Sequence, residues 1–444
     1  MAMLRPATEM KNSGVREIDS IPKEWNCVRI ARIIENSAEG IMVGPFGSSL
    51  TGAVVGEADG EYKVYGQANL IRRDFDYGDK FVDENKYKEL IRYKVIPGDI
   101  AISMMGTVGK CRVIPEGIRD GIMDSHLIKA RLSSHMLPKY FEYIYESTAV
   151  FEQIMAKSNG TIMNGLNSSI VKSLYVVLPP IFEQQAIADY LDDRCSKIDE
   201  IISEATASIE EYKELKQAVI FETVTKGLDK KPSNNISLDW CETGICNDWG
   251  VSQIRYLYKL RNEKNEKPLE EVNLISLYTD KGVVQHADLE KTTGNKAVTA
   301  DGYKLVYPED IVVNIILCWM GAMGRCEYEG VTSPAYDIYE PIDMNCVCSR
   351  YYHYLFRTER FAGKCYTLGR GIMMMRWRTY SSEFRAIKVP VPPIDEQVAI
   401  ADYLDKRIGE MDALISEKQA LVEDLQAYKK SLIYEAVTGK RRIV

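Results

Sequence analysis

Residues 179–227 read PPIFEQQAIADYLDDRCSKIDEIISEATASIEEYKELKQAVIFETVTKG, and residues 392–440 read PPIDEQVAIADYLDKRIGEMDALISEKQALVEDLQAYKKSLIYEAVTGK. The offset is a constant 213 residues without a gap, and 24 of 49 positions are identical. Chance does not produce such a match, so the chain contains an internal duplication. Each copy reads as one long helix. It starts after a Pro-Pro pair, Pro179-Pro180 or Pro392-Pro393, where extended backbone gives way to helix. Glu183 and Glu396 fall in the first turn, where a negative charge suits the helix dipole.

Apolar residues then recur in steps of three and four, the mark of a coiled-coil seam. The first copy has Ile187, Leu191, Cys195, Ile198, Ile202, Ala205, Ile209, Tyr212, Leu215 and Val219. The second has Ile400, Leu404, Ile408, Met411 and Ile415, a break at Lys418, then Val422, Leu425, Tyr428 and Leu432. About 40 residues at 1.5 Å rise make a helix of roughly 60 Å. A narrow apolar stripe of that length needs a partner, and the simplest is the other copy, paired antiparallel. The alternative is that each helix packs only on its own domain. The residues expected to carry helix packing are Glu183, Gln184, Ile187, Leu191, Ile198 and Ile202, with Glu396, Gln397, Ile400, Leu404, Met411 and Ile415.

The rest of the chain divides around these helices. The expected boundaries are a first globular domain at 1–178, a helix at 179–227, a linker and second globular domain at 228–391, and a helix with its tail at 392–444. The two globular regions differ in sequence but share a skeleton. GDIAISMMGTVGKC (98–111) and EDIVVNIILCWMGAMGRC (309–326) both carry an acidic residue, a β-branched run and a Gly-x-x-Gly-Lys/Arg-Cys signature. Trp25 and Trp249 stand near the two starts. Short runs such as Tyr62–Tyr65 and Tyr175–Leu178 read as strands, while 140–156 and 350–363 read as helices. The fold class expected is α+β: two mixed domains, each followed by a long helix, with the helices forming an antiparallel coiled coil of pseudo-two-fold symmetry.

The formal net charge is −8, which sits badly with a nucleic-acid binder until its distribution is read. Segments 179–227 and 392–440 carry −6 and −4, whereas residues 1–178 balance 22 basic and 22 acidic side chains. The globular regions are therefore free to hold basic faces. The ten cysteines lack CxxC or Cys/His spacing, so reduced thiols are expected and a zinc site is not. No run of about 18 apolar residues could span a membrane. The N-terminal stretch lacks the apolar core of a signal peptide, so a cytoplasmic protein is expected.

Catalytic signatures are missing. There is no Walker A lysine loop, Gly-rich cofactor turn, serine elbow or HExxH, and no Asn/Asp-Pro-Pro-aromatic tetrapeptide. Gly106-Thr-Val-Gly109-Lys110 reads better as a strand–turn–strand hairpin than as a phosphate loop.

The doubled PPxxEQxxIAxYLD start, followed by long acidic helices, resembles the two central repeats of type I restriction-modification specificity subunits. GPFGSSL (44–50) and YGQANL (65–70) resemble the opening of a target-recognition domain in that family. The second domain has RNEKNEKPLEEVNLISL (261–277) at the corresponding place. The resemblance covers nearly the whole chain in family order. It implies a non-catalytic DNA-recognition subunit for phage defence. It implies double-stranded DNA as a partner, two methylation subunits docked on the helices and, for cleavage, two restriction subunits. S-adenosylmethionine and ATP belong on those partners, and no cofactor is expected in this chain. Because the two domains differ, an asymmetric, bipartite target with an unread spacer is expected.

Candidates for DNA contact are polar and basic residues on the domain loops. In the first domain they are Lys63, Gln67, Asn69, Arg72, Arg73, Lys110, Lys157, Asn159, Thr161, Asn164 and Asn167. In the second they are Lys281, Arg325, Arg370, Arg376 and Arg378. Gln and Asn suit adenine edges, Arg suits guanine, and flanking Lys and Arg suit phosphate. Met373–Met375 reads as a buried strand, and Trp377 as a packing residue. Two other readings compete. A pure protein scaffold would ignore DNA, and a nuclease with an unrecognised site would cut it unaided.

Overall fold

The computed structural model describes residues 3–105, 109–157, 165–230, 238–286, 300–371 and 377–444, with the backbone of 233–234. These form two compact units, residues 1–204 with 421–444 and residues 205–420. The division falls inside both long helices. The reason is that the two ends of each helix belong to different cores.

The first long helix runs Ile181–Lys226 and the second Ile394–Val437. In the first unit, Ile187, Leu191, Cys195 and Ile198 share a core with Leu432, Ala436 and Val437. In the second unit, Ile400, Leu404, Ile408 and Met411 share a core with Ile220 and Val224. The start of each helix meets the end of the other, so the two pair antiparallel.

The seam departs from the expected heptads in one respect. Leu215 and Tyr428, which occupy the same place in the two copies, are 46% and 52% exposed. A straight helix drifts about 20° per heptad from a 3.5-residue repeat, which carries these positions off the stripe. Lys216 and Lys429 turn inward instead. Lys216 Nζ lies 2.6 and 2.8 Å from the Asp412 carboxylate oxygens. Lys429 Nζ lies 2.5 and 2.6 Å from those of Asp199.

The Glu-Gln pair that opens each helix is an anchor. Gln184 and Gln397 are fully buried. Gln184 Oε1 accepts the Leu137 N–H at 2.8 Å, and its Nε2 donates to the His135 and Pro179 carbonyls. Gln397 repeats this with the Cys348 N–H and the Cys346 and Pro392 carbonyls. A buried carboxamide satisfied on both ends costs little and fixes one geometry. Glu183 accepts the Trp25 indole N–H at 3.1 Å, and Glu396 accepts that of Trp249 at 2.9 Å. Each helix ends on a glycine at positive φ, Gly227 or Gly439. A Cβ there would fall 3.2 Å from Trp249 or 2.6 Å from Trp25, so only glycine lets the chain pass the indole.

Both units carry the same four-stranded antiparallel sheet. In the first its order is Ile41–Val43, Leu127–Ala130, Ile100–Ser103, Cys111–Val113. In the second it is Tyr258–Arg261, Tyr336–Pro341, Ile311–Asn314, Met323–Arg325. Ile100–Ser103 pairs antiparallel with Cys111–Val113, and Ile311–Asn314 with Met323–Arg325, which agrees with the hairpin reading, while residues 106–108 of the first signature lie outside the described residues. A second pairing also repeats, Asn26–Arg29 with Tyr175–Leu178 and Gly250–Gln253 with Lys388–Val391. The expected helical stretches resolve into pairs, Pro138–Glu146 with Thr148–Lys157 and Ser349–Phe356 with Glu359–Leu368.

Around this frame the units diverge. The first adds a sheet ordered Gly121–Met123, Tyr62–Tyr65, Phe81–Val82. The second adds the hairpin Ile275–Tyr278 with Gly282–Gln285 and the pair Lys304–Val306 with Gly330–Thr332. No helix among the described residues is long and apolar enough to cross a membrane.

Candidate nucleic-acid interface

In the first unit, three loops converge where strand Ile100–Ser103 ends. The Met104 N–H donates to the His126 carbonyl at 2.9 Å, and the Leu166 N–H donates to the Met104 carbonyl at 2.8 Å. The Gly44 N–H donates to the Leu127 carbonyl at 2.9 Å, which adds the GPFGSSL segment. The Asp124 N–H donates to the Tyr65 carbonyl at 2.8 Å, which adds YGQANL.

Asp124 explains two glycines of these segments. A Cβ on Gly44 would lie 1.7 Å from the Asp124 carbonyl oxygen, and one on Gly66 would lie 2.7 Å from Asp124 Oδ2. The Asp124 carboxylate accepts the His126 backbone N–H at 2.8 Å. Desolvation by its surroundings raises its pKa above the usual carboxylate value, against the opposing pull of His126. Phe46, at the tip of this junction, is 84% exposed. Asp124, His126 and Phe46 were not among the sequence candidates. The signal for Asp124 and His126 is the Asp-Ser-His run at 124–126, which only the fold brings beside Gly44 and Gly66, while Phe46 stands in the GPFGSSL segment.

Several candidates change role. Lys63 is buried, and its ammonium donates to the Asp76 and Gly78 carbonyls at 2.7 and 3.1 Å. Asn69 is buried too, accepting the Gly66 N–H and donating to the Asp74 and Tyr77 carbonyls. Both hold the 66–78 loop in shape from buried positions. Asn167 is exposed but caps the helix Ser168–Ser173 by accepting the Ile170 N–H at 2.9 Å. The Gln67 carboxamide oxygen is buried without a partner among the described residues. Arg325 lies between Glu309 and Glu327, both at 2.7 Å, which cancels its charge locally.

Others remain presented to solvent. Arg72 and Arg73 end the short helix Gln67–Arg72, and the Arg72 guanidinium lies 4.1 Å from the Tyr77 ring centre. Lys110 is half-buried beside Ser103, and Lys157 is exposed at the end of its helix. In the second unit Lys281 is exposed at a hairpin turn. Arg370 and Arg378 are exposed and face each other across an isolated antiparallel bridge. Trp377 packs as expected, stacked on Tyr366 with centroids 5.4 Å apart. Asn159, Thr161, Asn164, Arg376 and Met373–Met375 lie outside the described residues.

Comparison with known proteins gives a single direction. Residues 55–211 match the family described as the type I restriction modification DNA specificity domain. A Methanocaldococcus jannaschii protein inferred to be the specificity subunit of type I restriction enzyme MjaX is 24% identical, over 100% of both chains. The type I restriction enzyme MjaVIII specificity subunit of the same organism is 23% identical over 73% of this chain and 75% of its own. A solved structure concerned with complex assembly and conformational transition of the type I R-M system shares the fold, with a TM-score of 0.66 at 12% identity. It covers 94% of this chain and 98% of that one. Residues 55–211 thus match a type I DNA specificity domain, and the chain is similar along its whole length to a protein inferred to be a type I specificity subunit.

Proposed function

We propose that this chain reads an asymmetric, bipartite sequence in double-stranded DNA and performs no chemistry itself. One observation carries the reading: the two units repeat one sheet order and one helix anchor, yet differ in the segments around the sheet. A shared frame with different loops suits two modules that hold different sequences in the same way. Phosphate contacts position such a module and base contacts specify it.

The long helices set the spacing between half-sites and dock two methylation subunits, with two restriction subunits added for cleavage. S-adenosylmethionine and ATP sit on those partners, and the complex works in the cytoplasm. In this reading Arg72, Arg73, Lys110, Lys157, Lys281, Arg370 and Arg378 are the described basic residues that face DNA.

The experiment is methylated-base sequencing of a host with and without this gene, alongside its methylation subunit. The expected result is a two-part motif that appears only with the gene. A methylation pattern indifferent to the gene refutes the reading. Cutting or modification of DNA by the purified chain with a divalent metal refutes its non-catalytic part.

A further inference from the structure

Arg370 and Arg378 form a backbone pairing that sets two like charges side by side. The Arg370 N–H donates to the Arg378 carbonyl at 2.9 Å, and the Arg378 N–H donates to the Arg370 carbonyl at 3.0 Å. This double exchange makes them a hydrogen-bonded antiparallel pair. Their Cα atoms are then about 5.5 Å apart, with both side chains on one face. Like charges directly opposite each other are destabilising. One carboxylate offsets them, Glu383, at 3.3 Å from Arg370, whose side chain is still 76% exposed. Arg378 makes no ion pair among the described residues, so the pair carries an excess positive charge facing solvent.

The backbone beneath them is held firmly. Trp377 stacks on Tyr366, and its indole N–H donates to the Tyr366 carbonyl at 2.9 Å. A Cβ on Gly369 would lie 2.2 Å from Trp377 Nε1, so the indole lies directly on that glycine. Thr379 is buried, with its N–H on the Ile315 carbonyl and its hydroxyl on the Cys365 carbonyl. The two arginines are thus mounted on a fixed base, and an anion between them would pay little ordering cost.

We propose that Arg370 and Arg378 together grip one phosphodiester of duplex DNA. This rests on the DNA-reading function proposed above and assigns the second unit a backbone anchor. Two guanidinium forks side by side suit an oxyanion with several acceptor oxygens. A guanine edge takes one arginine fork, and a second guanidinium beside it would be left unpaired. The grip positions the second unit on the duplex and does not choose its sequence.

The test uses the full chain assembled with its methylation subunit and measures duplex binding by anisotropy across a salt series. The double variant Arg370→Gln, Arg378→Gln is expected to bind target and scrambled duplex alike roughly tenfold more weakly. The slope of log affinity against log salt should become shallower by about one, the value for one lost phosphate contact. The double lysine variant should keep a slope near the parent's, and the methylated motif should be unchanged in both. An unchanged slope in the glutamine variant overturns the proposal while leaving the DNA-reading function intact. So does an altered motif, which would mark a base contact. A lysine variant as shallow as the glutamine one removes charge as the cause. Loss of assembly with the methylation subunit at an unchanged slope assigns the pair to an acidic protein surface instead. If the unaltered complex fails to bind duplex, the function and the grip fall together.

Discussion

The Tyr140 hydroxyl donates to the carbonyl of Val437 at 3.0 Å, across 297 residues of sequence. Its counterpart Tyr351 donates to the carbonyl of Val224 at 2.8 Å. In each unit a tyrosine near the sheet thereby closes the end of the long helix that arrives from the other half of the duplication. All four residues are buried. Tyr140→Phe and Tyr351→Phe are each expected to cost about 1–3 kcal/mol, because a buried carbonyl loses a donor. Chemical denaturation followed by fluorescence measures this. An unchanged midpoint for both would mean that the bonds contribute nothing.

Helix pairing should depend on the stripe far more than on the ion pairs. Ile198→Asp buries a charge in the first core and is expected to cost several kcal/mol. Lys429→Ala removes a partly exposed pair with Asp199 and is expected to cost under about 1 kcal/mol. Thermal melts of the two variants should rank accordingly, and the reverse order would place the seam elsewhere.

Gly44 is a sharp probe of the first unit's loop junction. Gly44→Ala must push its Cβ against the Asp124 carbonyl, which no rotamer relieves. The backbone has to shift, so target binding should fall while the long helices keep their circular dichroism. Full binding by this variant would show that the junction does not shape the DNA-facing loops.

His353 makes the second unit sensitive to acid. Burial and the nearby Arg357 and Arg325 lower its pKa to about 3. Its Nδ1 accepts the Arg325 backbone N–H at 3.1 Å, which requires the unprotonated nitrogen. The folded pKa is depressed below the unfolded value of about 6.5, so the unfolded chain takes up the proton first. The stabilising contribution is present above about pH 6.5 and is lost as pH falls toward 3. His353→Gln should flatten the stability profile over that window. A parental slope in the variant would assign the acid sensitivity to other groups.

Exchange of the first recognition domain for that of a relative should alter one half-site and spare the other. The exchange must preserve the contacts that seat the domain on the helices, namely Trp25 on Glu183, the Leu137 N–H on Gln184 and Tyr140 on Val437. Methylated-motif sequencing reads the outcome, and a change in both halves would refute modular reading.

The duplication and the two long helices were legible in the sequence alone, because a repeated 3–4 apolar step has few ways to be buried. The same holds for the hairpins behind the Gly-x-x-Gly-Lys/Arg-Cys signatures. The antiparallel pairing of the helices is an expectation beside the alternative of packing on their own domains, and the shared cores decide it. Where a charge or amide points was not legible. Lys63 and Asn69 look like loop ligands in the sequence, but the fold spends them on loop carbonyls. Leu215 and Tyr428 look like seam residues, but accumulated helical drift exposes them and gives their place to Lys216 and Lys429. The partner of a polar atom is set by segments far apart in the chain. Asp124 beneath Gly44 and Gly66, and Arg378 opposite Arg370, exist only once strands and loops have met. Apolar periodicity is a local property and survives in one dimension; hydrogen-bond and charge pairing are decided by proximity, which tertiary structure alone supplies.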